Sequence, residues 1–575
     1  MNLSRSGFSP SLRPREASWH TPAMALLLGT AVWLLHGSAL QGFWRVDDPL
    51  ILLYVSEQPG ILGYFFSPTQ WQALGAPFFT PWLALDFRLD AILSGTDPQG
   101  FYLHHLAVLW GAALLTYLLL RRHTGHLWAA AAALLFLAGA PTAVVAQQLM
   151  SRHYATGLLF MILALYFWLR EGPPPRWQHL LLGAACYLAA MLNKEVFAPL
   201  PLVLLLLGNR PLKERLTALL PYAGAALVFI LWRRLMLGTA FGGYSTGFVP
   251  DSWLGSMAVL PQTLFGAWHL PALGALLLLI LACRPGLRGW GLLIASAAAL
   301  TLPFVSVLAT LNIQLLRYLL LPWWTLCVLL ALGTRQLAHV SPQAGPWGRR
   351  LPFLLIAALP APLALAALTH GQAVQGQLAG ITRQYDVQGR FLWTQPPSVA
   401  YIPSGDVAFT LPYQAGLSRL KTLHEGGEPP LAVPEPVSAN ALTGGLPLFT
   451  YDPAQGQMQP LSPPPPTAAA PRLLRQIHID RRQGGLEWFI TDQPGSQCFL
   501  LFPTLRSSFA VLCSGRINYE LFPVIRGEMQ ALVRNGDQGW AISPVLQFPR
   551  QGELLDWPGA PEQPASPGHR SRYKD

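Results

Sequence analysis

The stretch GFWRVDDP, residues 42–49, places two adjacent carboxylates directly after an apolar segment that is long enough to span a bilayer. An ionised carboxylate close to hydrocarbon is costly unless it is paired or has a function. The alternative interpretation is a solvated loop that happens to carry two acids. The pair Asp47 and Asp48 therefore marks a candidate functional site, and the rest of the chain has to decide between the two interpretations.

The composition predicts a membrane protein. Of 575 residues, 52% are hydrophobic and only 11% are charged, whereas soluble proteins carry about 25% charged residues. The net charge of +11 comes from basic residues in short clusters between apolar runs. The positive-inside rule places such clusters in cytoplasmic loops. We therefore interpret the charge as a topology signal and expect no nucleic-acid partner.

The apolar runs predict about eleven transmembrane helices. The runs lie near residues 22–40, 103–120, 127–147, 154–169, 179–193, 196–208, 216–235, 262–282, 290–309, 316–333 and 351–369. If residues 1–21 are cytoplasmic, every inner loop is basic, as at Arg121 and Arg122. The sequence thus predicts a multi-pass protein of the plasma (inner) membrane whose C-terminal region is extracytoplasmic.

Two domains are expected. Residues 22–370 are predicted to form an all-α polytopic membrane domain with a large first outer loop at 41–102. Residues 371–552 are predicted to form a soluble extracytoplasmic α+β domain with a proline-rich linker near 462–471. Residues 553–575, which are rich in proline, glycine and charge, are predicted to be a disordered tail.

Within the C-terminal domain, segments of alternating character such as DVAFTL (406–411) and CFLLF (498–502) predict strands. Cys498 and Cys513 are the two cysteines in this polar region. They could form a disulfide if the domain lies outside the cytoplasm, but their spacing is not diagnostic, and the sequence leaves the pairing open.

Ionisable residues that could act in catalysis or binding lie on the predicted outer side of the membrane. They are Asp47, Asp48, Asp86, Arg88, Asp90, His104, His105, Arg152, His153, Lys194, Glu195, Arg233, Arg234 and Arg317. Aromatic and apolar residues separate them, which is typical of a cavity lining. Arg233 and Arg234 are the members best explained as interfacial anchors. The aromatic residues of the first outer loop predict short interfacial helices or packing onto neighbouring helices.

An enzyme that faces away from the cytoplasm has no access to nucleotides, so an activated sugar has to arrive on a lipid such as a polyprenyl phosphate. Transfer then needs a carboxylate that accepts the proton of the incoming hydroxyl group, which Asp47 or Asp48 can do. It also needs cations that stabilise the phosphate leaving group. Lys194, Arg152 and Arg317 are suited to that task.

The chain resembles the GT-C superfamily of polyprenyl-phosphate-sugar-dependent glycosyltransferases. More narrowly, it resembles the membrane region of transmembrane-and-tetratricopeptide-repeat O-mannosyltransferases and their bacterial relatives. The similar stretches are FWRVDDPLI at 43–51, PWLALDFRLDAILSGTDPQGFYLHHLAVL at 81–109, NKEVFAPLPLVLLL at 193–206 and RYLLLPWW at 317–324. The resemblance covers roughly residues 22–370.

The resemblance implies a GT-C-like fold and an inverting transfer to a protein, glycan or lipid acceptor, with Asp47 as the catalytic base beside Asp48. It implies that Lys194 and Glu195 line the cavity, with His104 and His105 at the start of the second span. Relatives often carry an arginine before the proline that is Pro81 here, whereas this chain has Thr80 and lacks that cation; whether Arg88 replaces it is left open. The helical repeats of those relatives are not expected in the C-terminal domain.

Each of these residues also has a structural alternative. Lys194 and Glu195 could be an ion pair that closes a helix end, and Arg317 could be an anchor that snorkels to the interface. His104 and His105 could be polar residues of a helix end. The sequence leaves a divalent cation open, because one acidic pair and two histidines are an incomplete ligand set.

Two other functions remain open. A transporter or flippase of lipid-linked glycans would need polar residues along a path through the spans, whereas the middle positions here are nearly all apolar. A polymerase or ligase of surface polysaccharide would use the same kind of lipid-linked donor. The acidic pair directly after the first span favours the glycosyltransferase.

Overall fold

The structure is a computed structural model of the chain. The residues that it describes are 19–58, 60–72, 78–170, 176–206, 211–240, 250–283, 313–340, 360–403, 407–433, 446–462, 472–474, 476–481, 486–491, 496–503, 506–517, 527–535, 540–550 and 552–557. They divide into two compact units, with the main division between Arg383 and Gln384. The predicted span at 290–309 and most of the proline-rich linker lie outside the described residues, as do residues 558–575 of the predicted tail.

The first unit is helical. Its helices are α1 His20–His36, α2 Asp48–Glu57, α3 Ile61–Phe66, α4 Pro68–Gln72, α5 Pro81–Ser94, α6 Pro98–Thr124, α7 His126–Ala138, α8 Ala140–Ala146, α9 Arg152–Arg170, α10 Trp177–Asn193, α11 Leu200–Leu206, α12 Leu212–Leu237, α13 Pro250–Phe265, α14 His269–Cys283, α15 Leu320–Val340 and α16 Pro360–Thr394, which continues into the second unit. Short 3₁₀ helices include Leu149–Ser151, Glu195–Phe197 and Ile313–Leu319.

Six helical segments of the described residues are long and apolar enough to cross a membrane, or seven if α7 and α8 form one bent span. The six are His20–Gln41, Pro98–Thr124, Leu149–Leu169, Leu212–Leu237, Ala258–Ile280 and Leu315–Arg335. The chain is a multi-pass membrane protein, but the predicted count of about eleven spans is not confirmed. Part of the difference is physical, because α10 and α11 are shorter than the roughly 20 residues that cross a bilayer.

Helix α6 shows how local sequence sets the limits of a span. Pro98 occupies the first turn, where its missing N–H is not needed. The Asp97 carboxylate accepts a hydrogen bond from the Gln99 backbone N–H at 3.0 Å. The last turn carries Arg121 and Arg122, which suit the negative end of the helix dipole. Gly125, with φ of 82°, then ends the helix.

A bend of 60° between α7 and α8 positions the loop that follows them. Gly139 lies at the break, and a Cβ atom there would lie 2.1 Å from Nε1 of Trp323. The same Trp323 indole donates a hydrogen bond to the Phe136 carbonyl oxygen at 3.1 Å. Only glycine allows this close approach, and the bend delivers residues 147–151 to the candidate site.

The first loop folds into four short helices, α2 to α5. Several of its aromatic side chains pack inward: Trp71 and Phe79 are fully buried and meet edge to face with ring centroids 5.5 Å apart. Tyr54 packs on Trp71 at 6.2 Å. These contacts make the loop a packed layer whose α2 and α5 carry Asp48, Asp86 and Asp90.

The second unit contains helix and strand, as an α+β domain should. Its elements are β1 Ala400–Ile402, α17 Val407–Glu425, β2 Leu431–Ala432, β3 Leu448–Asp452, β4 Gln457–Leu461, β5 Arg472–Leu473, β6 Ile477–Asp480, β7 Leu486–Phe489, β8 Ser496–Phe502, β9 Ser507–Val511, β10 Ser514–Ile517, β11 Glu528–Asn535, β12 Trp540–Ile542, β13 Leu546–Gln547 and β14 Leu554–Trp557.

Among the described residues, the strands form three sheets. In the first, of order β2-β1-β3-β4, β1 pairs in parallel with β2 and β3. The second, β10-β7-β6-β14, is antiparallel. The third has the order β5-β12-β11-β8-β9, and β13 also pairs with β11. A disulfide joins Cys498 of β8 to Cys513, which follows β9, so the pairing that the sequence left open is formed.

One predicted strand is wrong. Residues 407–411 of the segment DVAFTL lie at the start of α17, not in a sheet. The reason is visible further along the chain, where Tyr413, Leu417 and Leu420 are buried at a helical spacing. A helix that extends back from this apolar face overrides the short alternating pattern.

Candidate active site

A tight turn at residues 45–48 presents the acidic pair. The Asp48 backbone N–H donates to the Arg45 carbonyl oxygen at 2.9 Å, and α2 begins at Asp48. Val46 has a φ of 49°, a conformation that is a genuine outlier for a β-branched residue. Backbone strain of this kind costs about 1–3 kcal/mol and persists only where the surrounding structure enforces it. The turn is therefore held in place by its neighbours.

Asp48 provides much of that enforcement. Its side chain is completely buried. One carboxylate oxygen accepts the Arg45 backbone N–H at 2.9 Å, and the other accepts the Met150 backbone N–H at 2.8 Å. Burial raises the pKa of Asp48 to about 7, against the opposing effect of the two N–H groups and of the Arg45 charge. Asp48 thus connects the turn to the loop at 147–151.

Arg45 makes a second connection to the same loop. Its guanidinium donates to the carbonyl oxygen and to Oε1 of Gln147, at 2.9 and 2.8 Å. It also lies 5.4 Å from the ring centroid of Tyr102. The sequence analysis gave Arg45 no site role, although it lies within the opening stretch. The available signal was an arginine two residues before an acid at a membrane edge.

Asp47 is placed differently from its neighbour. Its side chain is half-buried, and its carboxylate accepts no hydrogen bond from a described residue. Burial raises its pKa, and the positive charge of Arg317 acts in the opposite direction. A general base needs a carboxylate with a raised pKa that is free of backbone N–H donors and lies close to the developing charge. Asp47, next to the Arg317 cation, has these properties.

Arg317 lies in the 3₁₀ helix before α15 and is only 8% exposed. Its guanidinium donates to Oε1 of Gln148 at 3.1 Å. A snorkelling anchor would keep its charged head in water, so the structure favours a site residue. The loop at 147–151 therefore contacts Arg45, Asp48 and Arg317 together.

Lys194 follows the end of α10 and is 5% exposed. Its ammonium lies 3.6 Å from the ring centroid of Phe78 and 5.6 Å from that of Tyr154. Burial lowers its pKa to about 7; the charge of Arg317 lowers it too, whereas Glu195 acts in the opposite direction. Arg317 thus acts electrostatically on both Asp47 and Lys194, and we call these three residues the charge cluster.

Glu195 is not the hydrogen-bonded partner of Lys194. Its Oε1 accepts from Nε of Arg233 at 2.6 Å. Arg233 is 2% exposed and also donates to the carbonyl and hydroxyl oxygens of Thr239. The interpretation of Arg233 as an interfacial anchor is therefore wrong, because its guanidinium is buried and bonded to a carboxylate, whereas an anchor would extend to the interface.

A second set of charges connects α5, α6 and α9. The two carboxylate oxygens of Asp90 contact Nδ1 of His104, at 2.7 Å, and the guanidinium of Arg152. Arg152 is fully buried and also donates to the Phe101 carbonyl oxygen at 2.6 Å. Burial raises the pKa of Asp86, one turn before Asp90, to about 6, against the charge of Arg152. Among described contacts, Arg152 and His104 thus engage this network.

Two further predicted site residues make structural contacts. Arg88 donates to the Val55 carbonyl oxygen at 2.9 Å in the last turn of α2, a position where a cation stabilises a helix end. His105 is fully buried, and its Nε2 contacts the Val145 carbonyl oxygen at 2.7 Å. Neither residue contacts the charge cluster among the described hydrogen bonds and ion pairs.

His153, one of the residues that the sequence places on the predicted outer side, is a neighbour of the charge cluster. It is 7% exposed, and the charges of Lys194 and Arg317 act on its ring. In the described part of the chain, no group of three or more His, Cys, Asp or Glu side chains is arranged to hold a metal ion. The arrangement offers one carboxylate acceptor and two cations, which suits removal of a proton next to a departing anion.

A comparison with protein families finds a match in the central part of the chain. Residues 76–234 match the dolichyl-phosphate-mannose-protein mannosyltransferase family. The match contains Asp86, Arg152, Lys194 and Glu195, and it ends before Arg317 and begins after Asp47. It confirms the resemblance to the polyprenyl-phosphate-sugar-dependent glycosyltransferases.

No curated protein matches the chain. Two solved structures of ArnT from Cupriavidus metallidurans are similar to it. The structure bound to undecaprenyl phosphate has a TM-score of 0.43 and 16% sequence identity, and covers 76% of this chain and 94% of ArnT. The apo structure has a TM-score of 0.42 and 14% identity, with coverages of 75% and 94%. Similarity at this level is too weak to support a further argument.

Proposed function

We propose that this chain is an inverting membrane glycosyltransferase that moves a sugar from a polyprenyl monophosphate to an extracytoplasmic protein, glycan or lipid acceptor. One observation carries the proposal: the Asp47 carboxylate accepts no hydrogen bond from a described residue and lies in the field of Arg317, which also acts on Lys194. A proton acceptor and two cations are the groups that such a transfer requires.

In the proposed reaction, Asp47 accepts the proton of the acceptor hydroxyl group. The hydroxyl oxygen then attacks the anomeric carbon from the side opposite the phosphate. The bond between that carbon and the phosphate oxygen breaks, and its electron pair leaves with the polyprenyl phosphate. One proton passes to Asp47, and a glycosidic bond to the acceptor oxygen replaces the bond between the sugar and the phosphate, with inversion at the anomeric carbon.

Arg317 and Lys194 stabilise the leaving phosphate in this proposal. The electrostatic stabilisation that their charges provide is largest when negative charge builds up on the departing oxygen. Burial lowers the pKa of Lys194 to about 7 in the unliganded protein, and a phosphate anion next to the amine favours its charged form. Donor binding and protonation of Lys194 therefore support each other.

Several other predicted site residues act indirectly, by positioning the residues of the charge cluster. Asp48 holds the turn that presents Asp47, through its hydrogen bonds to the Arg45 and Met150 backbones. Arg152, with Asp90 and His104, fixes α5, α6 and α9 relative to one another. We assign positioning roles to these residues, and to Arg88 at the end of α2.

The experiment that tests this function uses the purified full chain in proteoliposomes with a polyprenyl phosphate that carries a radiolabelled mannose. A glycosyltransferase releases polyprenyl phosphate and forms a new glycosidic bond, whose anomeric configuration reports inversion when an acceptor extract is present. A flippase carries the intact donor across the bilayer and forms no new bond. Donor movement without release of polyprenyl phosphate would refute the proposal.

A further inference from the structure

His153, the second residue of α9, has a polar side chain whose bonding is incomplete. The ring is 7% exposed. Neither of its nitrogen atoms makes a hydrogen bond to a described residue. The Met150 carbonyl, one turn earlier, influences the ring without meeting hydrogen-bond geometry. A buried polar group without a partner is costly, so its presence needs an explanation such as a ligand.

The surroundings of His153 indicate which kind of ligand would complete its bonding. Among charged side chains, Lys194 and Arg317 act most strongly on the ring. The ring also packs against Tyr154, with centroids 4.4 Å apart. Tyr154 in turn lies 5.6 Å from the Lys194 ammonium and meets Tyr318 edge to face at 5.6 Å. The imidazole therefore belongs to the positive side of the charge cluster.

We infer that His153 is a phosphate-binding residue, which donates a ring N–H to the phosphate of the lipid-linked donor next to Lys194 and Arg317. An imidazole carries at least one N–H in either of its common protonation states, so it offers a donor in both. An anion between two cations and an N–H group gains charge-assisted hydrogen bonds. The inference rests on the proposed function, because it assumes a phosphate at this place.

The test compares binding of undecaprenyl phosphate and of undecaprenol to the purified full chain. The variant His153→Phe keeps the ring packing on Tyr154 but removes both nitrogen atoms. A lost hydrogen bond to a charged group should weaken undecaprenyl phosphate binding about 10- to 100-fold and leave undecaprenol binding unchanged. His153→Gln, which retains an amide N–H, should recover part of the loss.

His36→Phe is the matched control, because His36 is also buried but contacts the Leu137 carbonyl oxygen on a different helix. It should alter the binding of neither undecaprenyl phosphate nor undecaprenol. If His153→Phe does not fold, the pair His153→Gln and His153→Met makes the same comparison between two unbranched side chains of similar size.

The outcomes separate the two proposals. If the wild-type protein does not prefer undecaprenyl phosphate to undecaprenol, the proposed function itself fails. If the wild type shows the preference and the variants without an N–H keep it, only the role of His153 is refuted. An equal loss of both ligands would indicate a purely structural histidine and would also overturn the inference.

Discussion

At the scale of single residues, the two members of the acidic pair lie in different environments. Asp48 is buried and occupied by two backbone N–H groups, whereas the Asp47 carboxylate has no such donor among the described residues. Adjacent residues with the same chemistry thus have separate tasks, because the first turn of α2 directs them to different sides.

Replacing Asp48 by asparagine should destabilise the protein. An amide has one acceptor oxygen, so one of the two backbone N–H groups would face an NH₂ group and lose its partner. An unsatisfied buried donor costs about 1–3 kcal/mol. We expect a lower unfolding temperature in detergent for Asp48→Asn than for Asp47→Asn. Equal unfolding temperatures for the two variants would refute the positioning role.

Lys194 should make the unliganded protein more stable as the pH rises. Its folded pKa of about 7 lies below the ordinary lysine pKa of 10.5, so between these values the unfolded chain binds more protons. Stability therefore increases with pH across this window. In Lys194→Met the increase should be smaller and donor binding weaker, whereas Lys213→Met, at an exposed lysine, should behave like the wild type. Thermal unfolding between pH 7 and 10 measures the effect, and a rise of stability with pH in Lys194→Met as large as in the wild type would contradict it.

At the scale of elements, the connection between α10 and α12 depends on the ion pair of Glu195 and Arg233. The pair joins the 3₁₀ helix after α10 to the last turns of α12. It leaves the adjacent Lys194 over aromatic rings, without a carboxylate partner within hydrogen-bond distance among the described residues. The segment that carries Lys194 is thus held in place by the ion pair of the adjacent Glu195 with Arg233.

Removing the Glu195 carboxylate should therefore lower the stability of the protein more than its transfer rate. Glu195→Ala leaves the Arg233 charge buried without its carboxylate, which costs on the order of 3 kcal/mol. We expect a clear fall in unfolding temperature and near-normal transfer per folded molecule. The double variant Glu195→Ala with Arg233→Met should recover much of the stability. A large loss of transfer at unchanged stability would instead place Glu195 in the chemistry.

The sequence predicted the elements better than the contacts between them. The apolar length of α6 and the position of the acidic pair could be read directly, since they depend on local composition. Arg152, by contrast, was predicted to bind phosphate but contacts Asp90, and Arg233 pairs with Glu195. Such pairs join residues far apart in the chain, and no local pattern specifies them. His153 was placed on the predicted outer side with the other candidates, but no local pattern indicated a specific role for it.

At the scale of the whole molecule, the basic loops and the disulfide agree on one topology. Disulfides are rare in the cytosol, and Cys498 and Cys513 are paired. The positive-inside rule independently puts the second unit on the side opposite Arg121 and Arg122. We therefore propose that the C-terminal domain is extracytoplasmic, on the side where a lipid-linked sugar would be the available donor.

Reporter fusions after Arg122 and after Thr394 should therefore report opposite sides of the membrane. In intact cells, Cys498 and Cys513 should resist a thiol reagent until a reductant is added, because their thiols are joined. Cys498→Ser exposes the Cys513 thiol and serves as the positive control. Two cytoplasmic reporters would contradict the topology and, with it, the position of the site.

The central claim is that Asp47 is the base. Asp47→Asn keeps the shape of the side chain and removes its ability to accept a proton. The decisive measurement is transfer of sugar from a polyprenyl-phosphate donor by purified wild type and Asp47→Asn, with donor binding followed separately. We expect a loss of about 10²- to 10⁴-fold in the transfer rate, with donor binding and unfolding temperature close to those of the wild type. Transfer at the wild-type rate by a folded Asp47→Asn protein would contradict the account.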